Sequence, residues 1–236
     1  MFALGTIVNV IAIIAGSLLG LFFGHKLSQK MNKVLIHAIG LFCLGLGLKL
    51  FFDSQNSIIV VFSLVVGGVL GVWIDIESKL ELFGNKLKKL VKTKSPTFLE
   101  GFVTTSLIYC IGPMAILGSL TDGMNAQHDL LFTKAILDGT ISIGFAATLG
   151  LGVLFSSLSV FVYQGSITVL GYFIGNFFLT CMITELSATG GLLISAIGIN
   201  LLGLLKNDKR IPVGNLLPAI FFAALFAWLA QYFNVY

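Results

Sequence analysis

Lys134 and Asp138 stand four residues apart in an otherwise apolar stretch, so one helix face would carry both charges and let them pair. Asp122 closes the apolar segment before them, and Glu185 lies in the break before a later one, at the same outer level. Ionised groups at membrane depth are expensive, which makes these carboxylates candidate contacts for an ion or polar solute. A structural ion pair is the other reading of Lys134 and Asp138. Thr104 and Thr105 offer hydroxyls inside an apolar segment, and Asn9 and Gln164 offer amides. Such amides contact a solute or join helix to helix. Gly112-Pro113 interrupts the segment that holds the two threonines. Proline removes a donor and blocks the carbonyl about four residues earlier, near Tyr109. The result is either a broken helix of the kind that builds transport sites or a simple kink.

Other chemistries are missing. There is no Walker loop, no HExxH, and no Ser or Cys nucleophile beside an obvious base, so neither an enzyme nor a cofactor is expected. Cys43, Cys110 and Cys181 all fall in apolar stretches and read as small packing residues, with no metal assigned.

The elements that must position these groups follow from composition. The chain has 236 residues, 57% hydrophobic and 10% charged, with a mean hydropathy of +1.02. A soluble domain carries roughly 25% charged residues. The balance excludes an ordinary soluble fold and predicts an all-α polytopic membrane helix bundle, a single transmembrane domain over 1–236. Eight apolar segments are expected: Ala3–Phe23, Val34–Phe52, Ser57–Ile74, Phe102–Leu120, Ala135–Phe155, Leu158–Leu179, Leu186–Leu205 and Pro212–Phe233. Asp138 then lies about one turn inside the outer boundary of the fifth.

With an outer N-terminus, twelve of the 14 basic residues fall in inner loops, leaving only Lys49 and Lys134 outside. The positive-inside rule therefore predicts an even span count and two extracytoplasmic termini. The net charge of +4 is explained by this sorting and needs no nucleic-acid partner. Between Asp75 and Glu100, Ile76, Leu80, Phe83, Leu87 and Leu90 alternate with lysines. An amphipathic helix over about 75–92 is expected in the cytoplasmic interface, with anionic lipid as the partner of the loop Lys79–Lys94.

Ala38–Leu46 and Ala196–Leu204 share the pattern AIGxxxLGL. They would run in opposite directions, so spans 1–3 and 6–8 form a candidate inverted repeat. A competing match of Gly5-Thr6-Ile7 with Gly139-Thr140-Ile141 would instead give two parallel halves. Gly16, Gly20 and Gly24 line one face of the first span, and Gly67 and Gly71 one face of the third, as close helix packing requires.

Between Glu100 and Leu170 stand Glu100-Gly101-Phe102, Met114-Ala115-Ile116 before Gly118-Ser119, Asp122-Gly123, Leu131-Phe132-Thr133-Lys134, Leu137-Asp138-Gly139, Phe145-Ala146, Gly150-x-Gly152-Val153 and Gln164-Gly165. With Gly5–Asn9 and Val213–Ala219, these resemble the YdfK/YqgA-type family of bacterial inner-membrane proteins. The resemblance implies a bacterial plasma-membrane location and supplies no substrate. Three readings of function follow. The first is a transporter or channel for an ion or small polar solute, with Asp122 and Asp138 attracting the cargo near spans 4 and 5. The second is a non-transport scaffold or sensor acting through the basic helix, with a homo-oligomer as a candidate assembly. The third, an intramembrane enzyme, has no catalytic constellation behind it.

Overall fold

A computed structural model of the chain describes residues 3–24, 28–93, 95–174, 180–205 and 210–233. The described residues are helical, with no strand. The helices are α1 (Leu4–Gly24), α2 (Gln29–Phe52), α3 (Ser57–Ile74), α4 (Ile76–Leu90), α5 (Phe98–Cys110), α6 (Pro113–Asn125), α7 (Asp129–Leu149), α8 (Leu151–Ile174), α9 (Thr180–Leu201), α10 (Val213–Leu216) and α11 (Pro218–Tyr232). Seven spans are long and apolar enough to cross a membrane, α10–α11 counting as one, and the bent pair α5–α6 makes an eighth if it crosses as one. Parts of the inner-loop basic set, including Lys26, Lys94, Lys206 and Lys209, lie outside the described residues.

The chain divides into two compact units. The first comprises Met1–Ile36 and Gly84–Phe177, and the second His37–Phe83 and Phe178–Tyr236. In the first unit, α1 packs along α7 through the glycine face read from the sequence. A Cβ at Gly16 would collide with the Gly139 carbonyl, one at Gly20 with the Ile143 carbonyl, and one at Gly24 would sit 2.7 Å from the Ala147 carbonyl. Contact residues rise together in both helices, so α1 and α7 run parallel. Between α1 and α8 they run oppositely, Thr6 meeting Thr168 and Asn9 meeting Gln164. Parallel α1 and α7 require an odd number of crossings between them. With α2 and α3 as two, α5–α6 would be the third if the bent pair crosses as one.

The break is sharper than a proline kink. Ile111 is extended and Gly112 adopts φ 132°, a conformation open to glycine alone. The two half-helices bend by 60°. Pro113 starts α6, where its missing N–H leaves no helical bond unmade.

Several expected boundaries move; the sixth span begins at Leu151 rather than Leu158, and the second at Gln29 rather than Val34. The fifth span begins at Asp129 rather than Ala135 and ends at Leu149, where Gly150 turns the chain with φ 77°. Hydropathy alone placed it about six residues late, because Lys134 and Asp138 depress the local average. The break expected over Thr180–Glu185 is helical: α9 starts at Thr180 and takes Glu185 inside.

In the second unit α9 is the central helix, with 83% of its apolar window buried. α2 crosses it antiparallel, Gly40 against Gly198 and Gly47 against Gly191. Gly40 and Gly198 are the matching glycines of the two AIGxxxLGL stretches, so the motif marks a point where two helix backbones touch. α3 runs antiparallel to α10–α11 with Gly67 against Ala219 and Gly71 against Asn215. Reciprocal bonds lock this corner: Asn215 Oδ1 accepts from the Glu77 N–H at 2.9 Å, and Glu77 Oε2 accepts from the Gly214 N–H at 2.6 Å.

Candidate functional site

The first unit buries a polar cluster built by α1, α7 and α8. Each helix contributes it on the face that its glycines or small residues press against a neighbour, so the side chains cannot reach lipid. Asp138 Oδ2 accepts from Lys134 Nζ at 2.5 Å and from Asn9 Nδ2 at 3.0 Å. Asn9 Nδ2 also donates to Gln164 Oε1 at 3.2 Å. Asn9 and Gln164 have no exposed surface, and Asp138 and Lys134 are 5% and 6% exposed. Asn9 Oδ1 and Gln164 Nε2 have no hydrogen-bond partner among the described residues. Asp138 lies nine residues into α7, roughly 13 Å along its axis. The earlier start of α7 puts Asp138 further into its helix than the one turn expected from the sequence.

Further polar pairs extend along the same helices. Thr6 Oγ1 and Thr168 Oγ1 lie 3.5 Å apart, one turn from Asn9 and Gln164. On the other side, Ser142 Oγ donates to the Asp138 carbonyl at 2.7 Å and lies 2.7 Å from Tyr109 OH. Lys134 Nζ sits 5.9 Å from the centre of the Tyr109 ring, within cation–π reach. At the start of α7, His128 Nδ1 meets Asp122 Oδ1 at 2.5 Å, while the buried Asp122 Oδ2 has no partner among the described residues.

The residues singled out in the sequence separate into four groups. Asn9, Lys134, Asp138 and Gln164 come together. Asp122, on α6 in the same unit, is bound instead to His128. Thr104 is buried, and Thr105 donates to the Gly101 carbonyl of its own helix at 2.7 Å. The part of span 4 that approaches the cluster is Tyr109, just before the Gly112-Pro113 break. The cluster therefore joins spans 1, 5 and 6, with span 4 touching it at one point.

Glu185 belongs to the second unit, fully buried. Its carboxylate accepts from Ser54 Oγ at 2.6 Å, the Gln55 N–H at 2.9 Å and the Asn56 N–H at 3.1 Å. It fastens the α2–α3 turn. No group of three His, Cys, Asp or Glu side chains among the described residues is arranged to hold a metal ion.

Sequence reasoning missed His128, Thr6 and Thr168. His128 lies in the α6–α7 connection, six residues from its partner, where no helical period relates the two. The threonines are partners across 162 residues, and single hydroxyls in apolar helices carry no pairing signal.

The chain is 33% identical over 220 residues to the uncharacterized membrane protein YdfK of Bacillus subtilis (strain 168), covering 92% of each chain. It is 27% identical over 237 residues to the uncharacterized protein YqgA of Escherichia coli (strain K12), covering 96% of this chain and 99% of that protein. No solved structure matches it. Residues 4–228 match the family described as protein of unknown function (DUF554), and the chain is a membrane protein that belongs to this family.

Proposed function

We propose that the protein moves an ion or small polar solute across the membrane through a site centred on Asn9, Lys134, Asp138 and Gln164. The observation that carries this reading is a buried lysine–aspartate pair nine residues inside α7 at its aspartate, joined to two amides that keep one acceptor and one donor unbonded. Polar groups that only hold helices together gain by bonding fully to one another, because lipid offers no alternative partner. Unspent hydrogen-bonding capacity at this depth suits a passing guest. The broken span beside Tyr109 supports the same reading, since broken helices supply backbone groups to transport sites.

The proposal includes a bacterial plasma-membrane setting with both termini outside, supported by the sorting of basic residues. The AIGxxxLGL match supports an inverted pairing of spans 1–3 with spans 6–8. The basic helix α4 exposes Leu82 and Leu90 beside Lys86 and Lys89, which favours docking on anionic lipid headgroups. A scaffold or sensor would use that same surface.

Reconstitution into liposomes with a panel of ions and solutes tests transport. Flux above that of protein-free liposomes is expected, reduced in Asp138→Asn and less so in Asp122→Asn. Flux unchanged in both variants would show that the site is elsewhere.

A further inference from the structure

The orientations of the Asn9 and Gln164 amides are dictated by Asp138. A carboxylate paired with lysine can only accept, so the Asn9 atom facing Asp138 Oδ2 at 3.0 Å must be the nitrogen. The Gln164 atom 3.2 Å from that nitrogen must then be the oxygen. Turning either amide over would set like groups against each other. What remains is Asn9 Oδ1, an acceptor, and Gln164 Nε2, a donor, both buried and both without a partner.

Charge around these two atoms is already balanced. Lys134 and Asp138 hold one another directly, leaving no net charge to replace the hydration of a bare ion. A cation would meet Lys134 and an anion would meet Asp138. Span 4 also leaves open space at its break. Gly112 is buried, yet a Cβ placed on it would meet nothing within 4 Å. Gly112 lies three residues beyond Tyr109, whose ring faces Lys134.

We propose that the Asn9–Gln164 pair recognises an uncharged solute that both donates and accepts hydrogen bonds, of the hydroxyl or carboxamide class, and that the site refuses bare ions. This rests on the transport reading above and narrows its cargo. Asn9 Oδ1 takes the solute's donor and Gln164 Nε2 supplies its acceptor. The Lys134–Asp138 pair stays closed and keeps Asn9 in orientation.

The test uses the full-length protein in liposomes, with urea and glycerol as neutral probes and K⁺, Na⁺ and Cl⁻ as ionic ones. Light scattering after an osmotic step reports the neutral solutes, and ion-sensitive dyes report the salts. Urea or glycerol should equilibrate at least about tenfold faster than in protein-free liposomes, without added ion leak. Gln164→Met keeps side-chain length and removes the donor; loss of one such bond should slow the solute about tenfold. Ser63→Ala, whose hydroxyl bonds only to its own helix in the second unit, should leave the rate unchanged. Gel filtration and circular dichroism check that the variants fold. Should Gln164→Met not fold, the wild-type preference between neutral and ionic probes still decides. Ion flux without neutral flux, or ion flux beside it, overturns this inference and leaves the transport reading standing. Equal neutral flux in Gln164→Met and wild type overturns the assignment to the amide pair. No flux of any probe overturns both readings.

Discussion

Removing one member of the Lys134–Asp138 pair should damage the protein far more than removing both charges. The pair is i, i+4, with the lysine on the N-terminal side, the weaker order for an exposed helix, where such pairs contribute only about 0.2–0.5 kcal/mol. Its significance comes from burial: the two side chains are 8% and 7% exposed. Breaking a buried pair by deleting one partner costs about 3–5 kcal/mol, because the other charge stays behind uncompensated. Lys134→Met leaves Asp138 with Asn9 Nδ2 and should fall near about 3 kcal/mol. Asp138→Asn leaves Lys134 facing the Tyr109 ring at 5.9 Å. That contact returns about 0.5–2 kcal/mol, so this variant should also lose about 3 kcal/mol. The double variant carries no charge at the site and should lie within about 1 kcal/mol of wild type. For a chain of this size each kcal/mol corresponds to roughly 2–4 °C, so the single variants should melt roughly 6–12 °C lower. Thermal unfolding in detergent can be followed with a thiol-reactive fluorophore, since Cys43 and Cys181 are buried in the fold. A double variant that loses the sum of the two single losses would refute the coupling. Recovered stability without recovered flux would separate the pair's structural role from its part in transport.

Three further outcomes follow from the geometry. Glu185→Leu removes the acceptor for three donors of the α2–α3 turn and should cost about 3 kcal/mol or more, whereas Glu185→Gln keeps one accepting oxygen and should cost about half that; equal melting temperatures for the two would contradict the anchoring role. Gly71→Ala drives a methyl into the Asn215 carbonyl and should destabilise by about 1–3 kcal/mol, while Gly45→Ala, with nothing within 4 Å, should change stability by less than about 1 kcal/mol. In a cysteine-free background, Lys86→Cys and Asp129→Cys should react with an impermeant thiol reagent from opposite sides of the membrane; labelling from one side would refute the eight-crossing order.

The glycine faces show how packing could be read ahead of the structure. Gly16, Gly20 and Gly24 recur every fourth residue, and a helix places every fourth residue on one stripe, so a close partner was implied before α7 was known to be that partner. The Lys134–Asp138 pair was legible for the same reason, its spacing being set by one helix. Asp138 lies further into its helix than the sequence suggested, because the expected start of the span came from average hydropathy, which the two charges themselves lower. Glu185 looked like a third outer carboxylate. A carboxylate's partners across 129 to 131 residues leave no mark on its neighbours in sequence, and here those partners were the donors of a turn.

Composition and period alone determined a membrane bundle, the set of apolar helices and the stripes on which they pack. These are properties of single segments, fixed by transfer to lipid and by 3.6 residues per turn. Only the tertiary structure decided that α1 lies parallel to α7, that Asn9 and Gln164 meet at Asp138, and that two amide atoms are left unbonded there. Each of these depends on which helices are neighbours. In lipid, apolar faces attract one another no more than they attract the solvent, so the choice of neighbour falls to backbone approach and buried hydrogen bonds.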